Sequence, residues 1–318
     1  MSLPLSTSPR IKPPALRSGD TIGIVAPASN IKRADLDHGC EALRRAGYRP
    51  FYLDSILEQD LYFAGSVERR VHELEEMFVR DDVRAIVCAR GGYGANYLLQ
   101  ALDLEKIKNH PKIFLGYSDV TALLTYFADA AGLVTFHGPM VAKDWTHEDG
   151  VEIDSWQAAL SGTAAWDLNL QDTPSVSGLV EGSAEGILYG GCLSILVASL
   201  GTPYEIRTSG TIFFLEDMAA KPYQVDRMLM QLKLAGKFNG VQGIVFGEML
   251  DCVQTASQAY KLEDVVMRSV GELGVPVAYG VPSGHVTSRN MTLPIGVRAG
   301  LTVRDGQVSL KILEAAVL

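Results

Sequence analysis

The sequence predicts an α/β protein of two domains, and three observations lead there. Between Thr21 and His137, short apolar runs alternate with segments of helical spacing, the pattern of parallel βαβ units. Glycine-rich breaks at 91–94 and at 116 directly follow two of those runs, and strand ends of this kind form the ligand-binding edge of open parallel sheets. The chain has 318 residues, enough for two cores, and its pattern weakens between 144 and 185 before resuming in a different order.

Residues 1–20 read as an irregular, proline-rich lead-in. Thr21–Ala26 is a buried strand, and Pro-Ala-Ser-Asn after it caps a helix over 32–46 with Leu36, Cys40 and Leu43 on one face. A short strand at 51–53 follows, then a helix capped by Ser66 that buries Val67, Val71, Leu74 and Phe78. The third strand, 85–89, runs into Arg90-Gly-Gly-Tyr-Gly94. Next, Ile113-Phe114-Leu115 stops at Gly116, and Val120, Leu123, Leu124 and Phe127 mark a helix. A strand at 133–136 leads to His137-Gly-Pro and closes a first domain, 1–143. Residues 144–185 are polar and Ser/Gly/Pro-rich, with one helix near 151–160, and read as a linker. The second domain, 186–318, has a Gly-Gly pair before an apolar helix, strands at 211–215, 243–246 and 275–279, and helices opening at Pro222 and Leu262. A hairpin at 303–308 turns on Asp305-Gly306, so this domain mixes parallel and antiparallel pairing.

Composition excludes several classes. The chain is 47% hydrophobic and 20% charged with a net charge of −9, and its acids and bases are interspersed. No basic stripe supports nucleic-acid binding. The N-terminal segment lacks a signal-peptide core and no apolar stretch reaches membrane-spanning length, so a cytoplasmic protein without membrane association is expected. Cys40, Cys88, Cys192 and Cys252 are widely spaced with no C-x-x-C, which points to reduced, buried thiols and no metal site. No cofactor is implied.

Ser118 lies at the strand-to-helix turn, where it either caps the helix or stands as a nucleophile on an elbow. In the second case the Asp119 backbone N–H is a built-in oxyanion donor. A serine nucleophile needs a base, and that base needs an acceptor. Of six histidines, His38 and His72 fall in helices and His110 and His147 in polar loops; His137 and His285 fall in Gly/Pro-framed loops after strands. His285 is the better base, while His137 shapes the floor of a site. Two acids, Glu216 and Asp217, end the apolar strand at 211–215: Glu216 has the reach to orient a histidine, and Asp217 suits a capping role. The loop at 90–94 lacks the G-K-[ST] of a phosphate loop. It fits a close backbone approach to a tetrahedral intermediate, with the Gly92 N–H as second oxyanion donor. Arg90, Tyr93, Tyr117 and His137 are the candidate substrate contacts.

Taken in order, PALRSGDTIGIVAPAS, ARGGYG, GYSD, FHGPM, Gly190-Gly191, FFLEDMAAKPYQVDRML and GHVTSRNMTLPIG resemble the LD-carboxypeptidase family of serine peptidases over residues 14–296. The resemblance implies a flavodoxin-like, class I amidotransferase-like parallel-sheet N-terminal domain carrying the nucleophile. It also implies a smaller, swivelling barrel-like C-terminal α/β domain supplying Glu and His, and a homodimer. Residue by residue it makes Ser118 the nucleophile, His285 the base, Glu216 its orienting acid, and Gly92 and Asp119 the oxyanion donors. The implied reaction is release of terminal D-alanine from murein tetrapeptides during cell-wall recycling, with the murein peptide as partner. Microcin C-type self-immunity amidases are relatives; that activity needs an aromatic platform, for which Trp145 is a candidate. A non-catalytic binding protein on the same fold is the third reading, and it has no need of Ser118, Glu216 and His285 together. Tyr97, Cys192 and Val286 depart from the family pattern beside the expected pocket.

Overall fold

A computed structural model describes residues 10–170, 173–253 and 259–318; the first nine residues of the expected lead-in and residues 171–172 of the expected linker lie outside it. The chain divides into two compact units. The first comprises residues 10–163 together with Ser288–Gly296 and Ala315–Leu318. The second comprises Ala164–Thr287 and Val297–Glu314.

The first unit is built from β1 (Thr21–Val25), α1 (Arg33–Arg45), β2 (Arg49–Phe51), α2 (Val67–Val79), β3 (Val83–Cys88), α3 (Leu104–Asn109), β4 (Ile113–Gly116), α4 (Thr121–Tyr126), β5 (Thr135–His137) and α5 (Ile153–Ser161). Strands β2, β1, β3, β4 and β5 lie in that order and all pair in parallel. Every residue of β1 and β4 is buried, as expected of strands covered on both faces. The second strand begins two residues earlier than expected, because the ladder to β1 aligns Thr21 with Arg49 and an edge strand tolerates an exposed Arg49. Ser66 caps α2 by accepting the Arg69 N–H, as its position predicts.

The second unit opens within the stretch expected to be a linker. After α5, which belongs to the first unit, come β6 (Trp166–Asp167), β7 (Ser177–Val180) and the eleven-residue β8 (Gly182–Cys192). Serine and glycine mask these strands because β7 and the first half of β8 are only half-buried, and their partners are remote in sequence. Then follow α6 (Leu193–Ala198), β9 (Thr211–Glu216), α7 (Pro222–Leu234), β10 (Gly243–Gly247), α8 (Leu262–Val270) and β11 (Val277–Val281). Next, β12 (Leu293–Ile295) joins the first unit's sheet, pairing antiparallel with β5, so that sheet is mixed rather than wholly parallel. The hairpin of β13 (Arg298–Arg304) and β14 (Gln307–Ile312) completes the second unit, with Asp305 and Gly306 both at positive φ in its turn.

The second sheet runs β6-β14-β13-β8-β9-β10-β11-β7. Its centre, β8 to β11, is parallel and its flanks are antiparallel. Gly178 in the edge strand β7 donates its N–H to Gly306 in the distant hairpin turn, so the sheet curls on itself. Among the described residues no helix is long and apolar enough to cross a membrane.

Candidate active site

In the first unit, β1, β3 and β4 end side by side, and the strand order reverses between β1 and β3. Ser118 follows β4 at the start of a tight helical turn (118–120) and has φ +61°, the left-handed region that a residue with a Cβ rarely adopts. No side-chain cap hydrogen bond is made at the start of this turn or of α4. The 90–94 loop packs against Ser118. A Cβ on Gly91 would lie 2.8 Å from the Ser118 Cβ, and one on Gly92, at φ +101°, would lie 2.3 Å from the Ser29 Oγ. The Tyr93 N–H donates to that Oγ (3.1 Å) and the Ser29 N–H donates to the Gly91 carbonyl (3.2 Å). Glycines are thus required for this loop to pack against the Ser118 and Ser29 side chains at the elbow. The Asp119 carboxylate is buried and accepts the Ala95 N–H at 2.7 Å; burial pushes its pKa up to about 6, while the amides and Arg70 hold it down.

In the second unit, Glu216 ends β9 with no exposed surface. Its Oε2 accepts both the His285 backbone N–H (3.0 Å) and Nδ1–H (2.7 Å). One carboxylate oxygen therefore fixes the loop and the ring together. With the proton on Nδ1, Nε2 of the neutral ring is an acceptor. Gly247 makes room for this acid, since a Cβ there would come within 2.6 Å of the Glu216 Cβ. A second strand-end acid, Glu248 after β10, accepts both the N–H and the hydroxyl of Thr287 at 2.9 Å, tying down the same loop two residues beyond the histidine. Asp217 turns to α6, where it accepts the Ser194 N–H at 2.7 Å, the capping role expected of it.

The remaining candidates are placed as follows. Arg90 is exposed, and its guanidinium donates to the Asn30 carbonyl at 3.4 Å. Tyr93 is 43% exposed and lies in a cluster with Tyr62, Phe63 and Tyr97. Tyr117 is buried with its hydroxyl donating to Asp144 (3.4 Å), and His137, fully buried, lies 6.0 Å from the Tyr117 ring. Trp145 does not offer the open face expected of it; it is buried edge-on against Trp156. All four cysteines are buried thiols. Among the described residues, no cluster of three His, Cys, Asp or Glu could hold a metal.

Sequence reasoning passed over Ser29 and Glu248. Both had a signal: Ser29 follows β1 in a loop at the sheet's ligand edge, and Glu248 ends its strand as Glu216 ends β9.

Comparison with known proteins matches residues 22–138 to the LD-carboxypeptidase N-terminal domain and residues 185–301 to the LD-carboxypeptidase C-terminal domain. The class is therefore a peptidase built from two α/β domains. The chain belongs to the LD-carboxypeptidase family. It is 37% identical to a probable murein peptide carboxypeptidase of Bacillus subtilis, over 96% of this chain and 95% of that protein. It is 28% identical to the microcin C7 self-immunity protein MccF of Escherichia coli, over 93% and 94% of the two chains. The crystal structure of muramoyltetrapeptide carboxypeptidase from Oxalobacter formigenes superposes with a TM-score of 0.79 at 30% identity, covering 93% of this chain and 99% of that one.

Proposed function

We propose that the protein is a serine carboxypeptidase that hydrolyses the L,D-peptide bond releasing terminal D-alanine from murein tetrapeptides. The observation that carries this reading is the Glu216–His285 pair: a buried carboxylate oxygen 2.7 Å from Nδ1 fixes the tautomer in which Nε2 is the base. The strained Ser118 elbow and its glycine loop supply the matching nucleophile.

In this mechanism the Ser118 Oγ attacks the scissile carbonyl as the His285 Nε2 takes its proton. Negative charge develops on the carbonyl oxygen, and the N–H groups of Gly92 and Asp119 stabilise it. The imidazolium, steadied by Glu216, passes the proton to the departing D-alanine amine. Water, activated by the same base, then hydrolyses the acyl-enzyme and restores Ser118. Arg90 and Tyr93 serve the substrate directly, with Arg90 suited to its terminal carboxylate, while buried Tyr117 and His137 shape the floor.

The strand order β2-β1-β3-β4-β5 supports a flavodoxin-like description of the first unit, and the curled second sheet supports a barrel-like one. A cytoplasmic homodimer acting in cell-wall recycling belongs to the same proposal. Similarity to MccF favours a second reading, cleavage of peptide-nucleotide antibiotics. The burial of Trp145 removes the one candidate platform that the sequence offered for it.

The test is mass spectrometry of a murein tetrapeptide incubated with the purified protein. Loss of one alanine, abolished in Ser118→Ala and in His285→Ala, is expected. An intact tetrapeptide alongside cleavage of an aminoacyl sulfamoyl nucleoside would favour the second reading.

A further inference from the structure

Beneath the 90–94 loop lies a charged pair that the mechanism above does not use. Arg70, on the buried face of α2, is 2% exposed, and its guanidinium directs its donors to backbone carbonyls. Nη1 donates to Gly94 O (2.8 Å) and to Pro27 O (2.9 Å), and Nε to Ser66 O (3.3 Å). The guanidinium also lies 4.9 Å from the centre of the Phe63 ring. From the other side, Asp119 Oδ2 accepts the Ala95 N–H at 2.7 Å.

These contacts converge on one peptide group. The carbonyl of Gly94 and the N–H of Ala95 belong to the same planar unit. A buried cation holds its oxygen and a buried anion holds its N–H, so the plane is locked at both poles by charge-assisted bonds. Gly94 is at φ +120°, and a Cβ there would meet the Phe63 ring at 2.6 Å and Arg70 Nη1 at 2.9 Å, so this packing admits only glycine. The Pro27 contact extends the grip to the loop after β1, whose Ser29 accepts the Tyr93 N–H.

We propose that Arg70 and the Asp119 carboxylate are positioning residues that clamp the Gly94–Ala95 peptide and so aim the Gly92 N–H at the developing oxyanion. The inference rests on the catalytic reading of Ser118 and Gly92 given above. It assigns the Asp119 side chain a task separate from its backbone N–H. A neutral structural contact would not need two buried charges, each costly to bury unless paired and hydrogen-bonded.

The experiment compares the full-length protein with Arg70→Lys, Asp119→Ala and Asp119→Asn by hydrogen exchange and by steady-state release of D-alanine from a murein tetrapeptide. In Arg70→Lys and Asp119→Ala, amide exchange across 90–97 should accelerate about tenfold, the scale of one missing charge-assisted bond, while β1 and β4 stay protected. The kcat should fall about 10- to 100-fold with KM within about twofold, as expected when a catalytic donor is misaimed while the substrate is held as tightly as before. Asp119→Asn keeps an acceptor for Ala95 and should recover most of the rate. Unchanged exchange across 90–97 in folded variants, or an effect confined to KM, overturns the clamp. Ser118→Ala, run alongside, separates the two claims: if it retains D-alanine release, the catalytic reading fails, whereas the exchange measurement judges the clamp independently of substrate.

Discussion

Replacing Ser118 by glycine removes a hydroxyl and also relieves a backbone. At φ +61° an L-residue carries a steric penalty between its Cβ and the following carbonyl, about 1–2 kcal/mol. Glycine escapes this but loses more chain entropy on folding, about 0.5–1 kcal/mol. At mid-range the difference leaves Ser118→Gly about 0.75 kcal/mol more stable than Ser118→Ala, which keeps the Cβ and therefore the strain. Both variants lack the nucleophile, so the comparison isolates the backbone. For a folding unit of about 150–250 residues, each kcal/mol moves Tm by about 2–4 °C, so Ser118→Gly should melt about 1–4 °C above Ser118→Ala. Differential scanning calorimetry of the two proteins in one buffer measures this. A glycine variant that melts at or below the alanine variant would refute the claim that the elbow stores strain, and with it the argument that this conformation is maintained for the hydroxyl.

Ser118→Ala and His285→Ala should each lower kcat by several orders of magnitude in folded protein, with the double variant scarcely worse; additive effects in steady-state kinetics would argue against a shared mechanism. Gly92→Ala should cut kcat strongly, because its Cβ would fall 2.3 Å from the Ser29 Oγ at a positive φ, and near-normal turnover would remove Gly92 from the oxyanion hole. Burial raises the Asp144 pKa from 3.8 to about 6, so the folded state holds a proton that the unfolded chain has released across that window. Stability contributed by this group therefore falls as pH rises from about 4 to about 6. In Asp144→Asn, Tm should climb more steeply with pH over that interval than in the wild type, and parallel profiles would contradict the shift. Treatment with EDTA should leave D-alanine release unchanged, and chelator-sensitive turnover would sink the metal-free mechanism.

How much of this was legible in the sequence depends on the range of the physics involved. The β4–Ser118–α4 elbow could be read because its apolar run, its glycine break and its helical spacing all lie within fifteen residues, Ile113–Phe127. The α2 cap at Ser66 and the Asp305-Gly306 turn are local for the same reason. Strands β6 to β8 were not legible. Strand β6 is only two residues, Trp166 and Asp167. The half-exposed serines and glycines of β7 and early β8 carry no hydrophobic alternation, and the identity of all three as strands resides in ladders to β9, β11, β13 and β14. The three residues of β12 become a strand only by pairing with His137, Phe136 and Thr135, far back in the chain.

Within the candidate site the division is sharper. That an acid ends β9 is plain from Phe213-Phe214-Leu215-Glu216-Asp217, and that a histidine sits in a glycine-framed loop is plain from GVPSGHV. Which acid meets the histidine is a different matter. Successive side chains leave a strand on opposite faces, so Glu216 and Asp217 point to different neighbours. Tertiary structure sets α6 on the side of Asp217 and the His285 loop on the side of Glu216. The same holds for the left-handed φ of Ser118 and for the Arg70 and Asp119 contacts to one peptide group. Residue types and local periods determine which chemistry is present; only packing between distant segments decides which polar atoms share a partner, because no local pattern encodes what lies across the fold.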